Sequence, residues 1–334
     1  MKSKKIVFSA PFQVELWTEE VDSENIPPDS IAIKTDYTLI SPGTDMSCLA
    51  GKEFWFELPN TPGYSAVGEI LGTGENITDF QKGNKVFFYG SNRQYQLVPD
   101  SELIMKVPAG DNEKFVPFIR LATIAMTAIR VAPVELGDTV VITGLGPVGN
   151  FAAQLSKLAG AKVIGIDPSA SRRKLALNCG ADFVLDPVTC DLKEEITKLT
   201  DGRGADIAIE ASGMTQVIES TLPLLKTMGQ LILLGTPRAP YMTDATAMYR
   251  QTHDGACITV KGASEWRYPV KHEQFVKHSM ERNSRIVMEL LDSGKLNAAP
   301  LLTHLLPPEQ AAAAYEGVRN DRESYFGVIF DWTK

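Results

Sequence analysis

Cysteine is scarce in this sequence, and its few occurrences are too scattered to build a covalent or metal-bound scaffold. The four cysteines, Cys48, Cys179, Cys190 and Cys257, form no Cys-x-x-Cys pair. This spacing excludes a disulfide framework and a cysteine-rich zinc motif. Widely separated thiols also favour a reducing compartment.

Long apolar runs and an excess of basic residues are also missing. No run reaches the roughly 18 apolar residues of a membrane span. The first residues lack the apolar core of about 7–15 residues that marks a signal peptide. The 33 Lys and Arg against 41 Asp and Glu give a net charge of −8, which argues against nucleic acid or an anionic membrane as partner. We therefore expect a cytoplasmic protein with a small-molecule substrate.

The sequence otherwise has an ordinary globular composition, with 44% hydrophobic and 22% charged residues among 334. A chain of this length predicts about two domains. Residues 1–110 carry short β-branched runs, such as Ile31–Lys34 and Val67–Leu71, separated by turn signals such as Ser41-Pro42-Gly43. This pattern is typical of a β-rich barrel or sandwich.

From about residue 116 the pattern changes to alternating helices and strands. Predicted helices cover Val116–Val131, Pro147–Ala159, Ser169–Cys179, Thr215–Met228 and, in the tail, about Lys271–Ser293. Predicted strands between them cover Thr139–Thr143, Lys162–Ile166, Asp206–Ala211, Gln230–Leu234 and Cys257–Lys261. Strict alternation predicts an α/β domain of right-handed βαβ units around a parallel sheet.

The strongest functional signal is a Gly-x-Gly-x-x-Gly turn between a buried strand and a helix, formed by Gly144, Gly146, Pro147, Val148 and Gly149 with their neighbours. Gly144 permits a tight turn, Gly146 lets the backbone approach a pyrophosphate, and Gly149 lets the helix pack closely on the strand. The helix N-terminus offers unpaired N–H groups to phosphates. The turn therefore predicts a dinucleotide site; the alternative is a glycine-rich turn that binds nothing.

An acid after the second strand indicates which dinucleotide is bound. Asp167 can accept hydrogen bonds from the adenosine ribose of NAD and would repel the 2′-phosphate of NADP. Arg172 and Arg173 complicate this, because a guanidinium can neutralise that phosphate; the alternative is a solvated helix face. Ser212 and Gly235 complete the set assigned to the cofactor. We predict NAD.

The chain resembles the medium-chain dehydrogenase/reductase superfamily over essentially its whole length. The resemblance rests on segments that together are specific: Pro62-Gly63-Tyr64-Ser65, Gly83-Asn84-Lys85-Val86, Leu136-Gly137-Asp138 with the glycine turn, Gly180-Ala181-Asp182, Glu210-Ala211-Ser212-Gly213 and Thr303-His304. It implies a GroES-like β-barrel catalytic domain, residues 1–119 and 266–334. A Rossmann dinucleotide-binding domain, residues 120–265, is expected to be inserted into it.

Zinc-dependent members of that superfamily carry ligands that this chain lacks. Their Cys, His and Cys-or-Glu ligand positions fall here on Pro42, Tyr64 and Arg120, and Ser65 replaces the acid that follows the histidine. Proline cannot ligate zinc, and a guanidinium repels it. The cluster of four cysteines that binds structural zinc is also missing from Tyr89–Val107. The chain resembles a zinc-free branch that includes sugar and aminocyclitol dehydrogenases, so no metal is expected.

Without zinc, a positioned acid or base must handle the hydroxyl proton of the substrate. The resemblance implies that Thr44 keeps the hydroxyl that contacts the alcohol, and that Tyr64 lies where zinc would be. Arg120 is expected to lower the pKa of a neighbouring phenol or to stabilise an alkoxide. The alternatives are a turn threonine, a packed aromatic, and an ion pair of Arg120 with Asp45 or Glu69.

Two further residues are candidate bases. Glu53 lies in a loop with Phe54, Trp55 and Phe56, which are candidates for an aromatic wall over a ring-shaped substrate. His253 lies in an unusually polar stretch between the last two Rossmann strands and is a candidate to reach the nicotinamide. The alternatives are a solvated loop acid, hydrophobic packing of the aromatics and a surface histidine.

These features predict a zinc-independent, NAD-dependent oxidoreductase acting on a secondary alcohol or ketone, such as a sugar, cyclitol or polyol. An NADPH-dependent enone or quinone reductase and a non-catalytic dinucleotide-binding protein are the competing hypotheses. The resemblance also implies a homodimer.

Overall fold

The computed structural model describes residues 1–22, 25–108, 110 and 112–334. They divide into two compact units. The first unit comprises Met1–Arg120, Tyr268–Glu289 and Leu301–Lys334; the second comprises Leu121–Arg267 and Leu290–Pro300. The domain boundaries expected from the sequence, at 119/120 and 265/266, lie next to the unit boundaries, whereas Leu290–Pro300 packs with the second unit.

The strands, in chain order, are β1 (Lys2–Ala10), β2 (Gln13–Glu20), β3 (Ser30–Leu39), β4 (Ala66–Thr73), β5 (Lys85–Phe88), β6 (Tyr95–Pro99), β7 (Ile104–Lys106), β8 (Thr139–Thr143), β9 (Lys162–Ile166), β10 (Phe183–Leu185), β11 (Ala205–Glu210), β12 (Leu225–Leu233), β13 (Thr259–Gly262), β14 (His304–Leu306) and β15 (Val328–Asp331).

The helices are α1 (Pro42–Leu49), α2 (Ile119–Val131), α3 (Pro147–Leu158), α4 (Ala170–Asn178), α5 (Leu192–Leu199), α6 (Thr215–Thr221), α7 (Ala245–Arg250), α8 (Met280–Asp292) and α9 (Ala311–Asn320). A π-helical turn, Gln251–Gly255, follows α7 directly. Within the described ranges, no helix combines the length and apolar character needed to cross a membrane.

The second unit is built on a six-stranded sheet of order β10-β9-β8-β11-β12-β13. All neighbouring strands run parallel. This is the strand order of the Rossmann fold, in which the chain reverses its direction of winding at the first strand. Here that point lies between β8 and β11, so the crevice beyond their carboxyl ends is where such folds bind ligands. Val140, Val141 and Ile142 of β8 are fully buried, as expected for a central parallel strand.

The first unit is built around β3. One edge of β3 pairs antiparallel with β4. Along the other edge, Ser30–Lys34 pairs with β6 and Tyr37–Leu39 pairs with β15. β14 extends this sheet beyond β15, and β5 and β7 extend it beyond β4. β1 and β2 form a separate hairpin. The largest core side chains here include Phe8, Tyr315 and Phe330, which bring the N-terminal hairpin, α9 and β15 into one hydrophobic cluster.

Two predicted helices were too long. The helix predicted over Thr215–Met228 ends at Thr221, and Leu225–Met228 belongs to β12. Pro223 interrupts the helix, because it has no N–H to donate, and pairing with β11 and β13 then stabilises the extended chain. In the tail, the helix begins only at Met280, where Ser279 Oγ accepts the Arg282 N–H at 3.0 Å. Such a cap defines a helix start.

The elements that the sequence analysis missed include α1, β10, α5, α7 and α9. Ser41-Pro42-Gly43 is a turn signal in the sequence, yet Pro42 is the first residue of α1. Proline is well tolerated there because the first helical N–H has no partner in any case. β10 and α5, which follow the glycine that ends α4, also escaped prediction.

Candidate active site

The glycine turn of the second unit has a geometry that only glycine permits at two positions. Gly144 has φ +88°, and a Cβ there would lie 2.8 Å from the Ser212 nitrogen. A Cβ on Gly149 would lie 1.8 Å from the Gly144 carbonyl oxygen. A Cβ on Gly146, in contrast, meets no atom within 4 Å. The turn is therefore packed from behind by α3 and open at its central glycine.

The turn leads into the N-terminus of α3. Gly146 is the N-cap residue and supplies no side-chain cap, and Pro147 is the first helical residue. A twelve-residue helix with no capping side chain leaves N–H groups and positive partial charge at its start. Gly146, Pro147 and Val148 are thus suitably placed for a phosphate.

Asp167 is tied to this turn. Its side chain is buried, and its two oxygens accept the Leu145 and Ser169 N–H groups, each at 2.8 Å. Arg172 lies beside it, with Nη1 3.8 Å from Oδ2. Arg173 instead donates to the Asp167 backbone oxygen at 2.7 Å and forms an ion pair with Asp186 at 3.0 Å. The two arginines are therefore not equivalent, and Arg172 is the one near the carboxylate.

Glu210, at the end of β11, was missed by the sequence analysis as a site residue. It is fully buried and accepts the Ser212 N–H at 2.7 Å, the Gly213 N–H at 3.1 Å and the Ser212 hydroxyl. Burial raises its pKa, and these donors act against that shift. Gly235 packs against the same loop, since its Cβ would lie 2.3 Å from the Gly213 nitrogen. The Glu-Ala-Ser-Gly motif was the available signal for this residue.

In the first unit, the structure brings Thr44, Tyr64 and Arg120 together. Thr44 lies in the first turn of α1, and Arg120 is the second residue of α2. The Tyr64 hydroxyl donates to Ser41 Oγ and lies 3.5 Å from Thr44 Oγ1. The Arg120 guanidinium carbon lies 5.0 Å from the centre of the Tyr64 ring, within cation–π range. Ser41, which the sequence analysis did not single out, completes this hydroxyl cluster.

Arg120 is buried between two tyrosines. It is 4% exposed, and its guanidinium carbon lies 4.0 Å from the centre of the Tyr89 ring. Its Nη1 donates to the Tyr89 hydroxyl at 3.0 Å. The acids considered as its partners bond other groups: Glu69 lies 3.5 Å from Lys85 Nζ, and Asp45 accepts the Tyr315 hydroxyl at 3.0 Å.

Arg120 acts on the pKa of Tyr64 in the expected, lowering direction, but it is not the largest influence. Burial raises the pKa of Tyr64 above its ordinary value of 10.0, and this is the largest influence on it. The Arg120 charge and the Ser41 and Thr44 hydroxyls act in the lowering direction, but they do not overcome burial. Tyr64 is therefore a protonated phenol at neutral pH.

The remaining catalytic candidates, Glu53 and His253, have no contact with Thr44, Tyr64 or Arg120 among the hydrogen bonds described for them. Glu53 lies in the loop after α1 and accepts the Trp55 indole N–H at 3.1 Å. Phe54 and Trp55 are exposed, whereas Phe56 is buried in the core beside Phe8. His253 is an exposed residue of the second unit, on the π-helical turn after α7.

The residues at the expected zinc positions do not fit a zinc ion. Pro42 has no donor atom in its side chain, the Arg120 guanidinium is cationic, and Tyr64 is a half-buried neutral phenol. Across the part of the chain that the structure describes, no group of three or more His, Cys, Asp or Glu side chains is arranged to hold a metal ion.

A GroES-like unit combined with a Rossmann unit is the architecture of a two-domain dehydrogenase. Family comparison agrees: residues 27–109 match the model of the alcohol dehydrogenase GroES-like domain, and residues 147–267 match that of the zinc-binding dehydrogenases. The chain belongs to the medium-chain dehydrogenase/reductase superfamily. It is therefore an oxidoreductase that works with a nicotinamide cofactor.

The chain is also similar to individual dehydrogenases. A D-guloside 3-dehydrogenase of Escherichia coli K12 is 34% identical over 276 residues, covering 80% of this chain and 77% of the relative. The crystal structure of an E. coli galactitol-1-phosphate dehydrogenase superposes with a TM-score of 0.85 at 20% identity, covering 98% of this chain and 99% of that one. A putative zinc-binding dehydrogenase of Sinorhizobium meliloti 1021, bound to NADP, gives 0.82 at 19% identity and 99% coverage of both chains.

Because Gly149 and Gly146 have different surroundings, we expect the same substitution to affect stability at Gly149 and cofactor binding at Gly146. Gly149→Ala should lower the free energy of unfolding by roughly 1–3 kcal/mol or more, because its Cβ overlaps the Gly144 carbonyl. Gly146→Ala should leave stability within about 1 kcal/mol, because its Cβ meets open space, but should weaken NADH and NADPH binding at least about tenfold. Denaturant unfolding and fluorescence titration measure the two effects. Unchanged cofactor affinity in Gly146→Ala would show that no phosphate approaches this residue.

Proposed function

We propose that the chain is a zinc-independent, NAD-dependent oxidoreductase that interconverts a secondary alcohol and a ketone on a sugar, cyclitol or other polyol. The observation that carries the proposal is the contact of the Tyr64 phenol with the Ser41 and Thr44 hydroxyls, beside the Arg120 charge. By the resemblance to zinc-dependent members of the superfamily, Tyr64 and Arg120 fall at two of the positions that carry metal ligands there. The similar D-guloside and galactitol-1-phosphate dehydrogenases support a sugar or polyol substrate.

The proposed chemistry needs a group that exchanges a proton with the substrate oxygen. The nicotinamide would accept or supply the hydride. Tyr64, protonated at neutral pH, would give its phenolic proton to the ketone oxygen in the reducing direction, and the phenolate so formed would take up the hydroxyl proton in the oxidising direction. The buried Arg120 charge would stabilise negative charge that develops on the substrate oxygen. Thr44 would hydrogen-bond the same oxygen.

The preference for NAD rests on Asp167. A buried carboxylate beside the phosphate turn can accept hydrogen bonds from ribose hydroxyls and repels a 2′-phosphate. Its two oxygens already accept two backbone N–H groups, and each oxygen retains a lone pair for a further donor.

Replacing the Tyr64 hydroxyl should remove the proton exchange and little else. Tyr64→Phe should lower kcat by roughly 10²–10⁴-fold while leaving the NADH dissociation constant nearly unchanged, because the ring and its packing remain. Steady-state kinetics are first run on the wild-type protein with sugars, polyols and their ketones, and with enones and quinones, to choose the substrate.

Tyr95→Phe is the matched control, since Tyr95 is a buried tyrosine on β6 of the same unit. A loss below about threefold in Tyr64→Phe would reduce Tyr64 to a packing role. Turnover confined to enones or quinones with NADPH would identify the competing reductase instead.

The cofactor preference has its own test. Asp167→Ser should weaken NADH binding by about tenfold and narrow the gap to NADPH, because it removes both the ribose acceptor and the repulsion of the 2′-phosphate. Asp167→Asn separates loss of charge from loss of an acceptor, and the exposed acid Asp292→Asn in the same unit is the control. Tighter binding of NADPH than of NADH by the wild type would contradict the assignment and direct attention to Arg172.

Zinc independence is tested by metal analysis of the purified protein. We expect far less than one zinc ion per chain, and activity within about twofold after chelator treatment, because Pro42 and Arg120 cannot ligate zinc. A zinc-dependent dehydrogenase treated in parallel shows that the chelator works. Stoichiometric zinc whose removal abolishes turnover would show that other residues bind the metal.

A further inference from the structure

Ser41 lies at the junction between Tyr64 and the interior of the first unit. It is the N-cap residue of α1 and is only 7% exposed. Its hydroxyl accepts the hydrogen of the Tyr64 phenol. Its backbone N–H donates to Asp45 Oδ2 at 3.3 Å. The residue that bonds the proposed proton-exchange group is thus itself held by a buried carboxylate.

That carboxylate is the centre of a buried chain of hydrogen bonds. The Tyr315 hydroxyl donates to Asp45 Oδ2 at 3.0 Å, and Asn92 Nδ2 donates to the Tyr315 hydroxyl at 2.9 Å. Asp45, Tyr315 and Asn92 are each at most 1% exposed. Burial raises the pKa of Asp45 to about 7, against the lowering effect of its two hydrogen bonds. Such a chain fixes its members because each buried polar group needs its partner.

The same chain also reaches the other side of Tyr64. The Asn92 N–H donates to the Pro62 carbonyl at 2.7 Å. Gly63 has φ +94°, and a Cβ on it would lie 2.7 Å from Asn92 Oδ1. Asn92 therefore contacts the residues that precede Tyr64, while Ser41 bonds its hydroxyl. The backbone before Tyr64 and its phenolic end are held through one set of buried residues.

We propose that Ser41 is a positioning residue that makes Tyr64 a hydrogen-bond acceptor for the reacting alcohol. A phenol has one hydrogen to donate. While that hydrogen is bonded to Ser41 Oγ, the lone pairs of Tyr64 can accept the hydroxyl hydrogen of a bound alcohol, whereas a bound ketone must first draw the phenolic hydrogen away from Ser41. The inference rests on the proposed function and specifies how its site distinguishes the alcohol from the ketone.

The kinetic test compares the two directions of the reaction. Ser41→Ala frees the phenolic hydrogen, so the KM for the alcohol should rise about three- to tenfold, whereas the KM for the ketone should not rise. Ser41→Thr keeps a hydroxyl and should restore the alcohol KM. Ser47→Ala is the matched control: Ser47 lies on the same helix, is 6% exposed, and its Oγ has no hydrogen-bond partner among the described residues.

A second readout does not depend on turnover. With 13Cζ-labelled tyrosine, the Tyr64 resonance is assigned by its absence in Tyr64→Phe and followed with pH. After ionisation the Ser41 hydroxyl can turn its own hydrogen toward the phenolate, and it thereby lowers the pKa of Tyr64. The Tyr64 midpoint should therefore move to higher pH in Ser41→Ala and stay unchanged in Ser47→Ala. The other groups that act on this titration, Arg120, Asp45 and Thr44, are the same in both variants.

Equal KM changes for alcohol and ketone, together with an unmoved Tyr64 midpoint, would overturn the proposal and leave Ser41 a structural cap. If circular dichroism shows Ser41→Ala to be unfolded, Ser41→Cys, whose thiol is a weaker acceptor, takes its place. If the wild type turns over no sugar, polyol or ketone, the proposed function fails. The resonance of Tyr64 still decides whether Ser41 holds its hydroxyl.

Discussion

The second unit depends on one close approach, that of Gly149 to the Gly144 carbonyl. Because no side chain separates them, α3 begins directly against the end of β8. The turn is then held from two sides, by Asp167 at the Leu145 N–H and by the backbone of Ser212 against Gly144. The absence of a Cβ on Gly149 thus lets the N-terminus of α3, the buried Asp167 and the loop at Ser212 meet where the winding of the sheet reverses.

The first unit, in contrast, buries polar and charged groups such as Asp45 and Arg120 in its interior. Asp45 is buried, yet its carboxyl group accepts hydrogen bonds from Ser41 and Tyr315. Aromatic rings surround the Arg120 charge on the side of Tyr64 and Tyr89. Hydroxyl groups, rather than carboxylate, thiolate or imidazole ligands, make up the contacts of the Tyr64 oxygen. Such a cluster offers hydrogen-bond donors and acceptors around the Tyr64 oxygen.

Strong local signals predicted the Rossmann unit well. The β-branched run Thr139–Thr143 followed by spaced glycines could only be read as a strand, turn and helix. Weak or competing signals failed: β10 has three residues, and Leu225–Met228 joins β12 because of partners on both sides rather than its own pattern. The contact of Ser41 with Tyr64 links positions 23 apart, and the raised pKa of Tyr64 reflects burial from several directions. Neither is contained in residue spacing.

The pairing of β15 with β3 has a consequence for the growing chain. Residues 329–331 pair with residues 37–39, so this part of the first unit's sheet cannot form until residue 331 has been synthesised. All six strands of the Rossmann sheet, in contrast, are present once residue 262 has emerged from the ribosome. During translation, residues 37–39 of β3 therefore remain without their β15 partner on one edge. The second unit, which is inserted between β3 and β15 in the sequence, can complete its sheet before then.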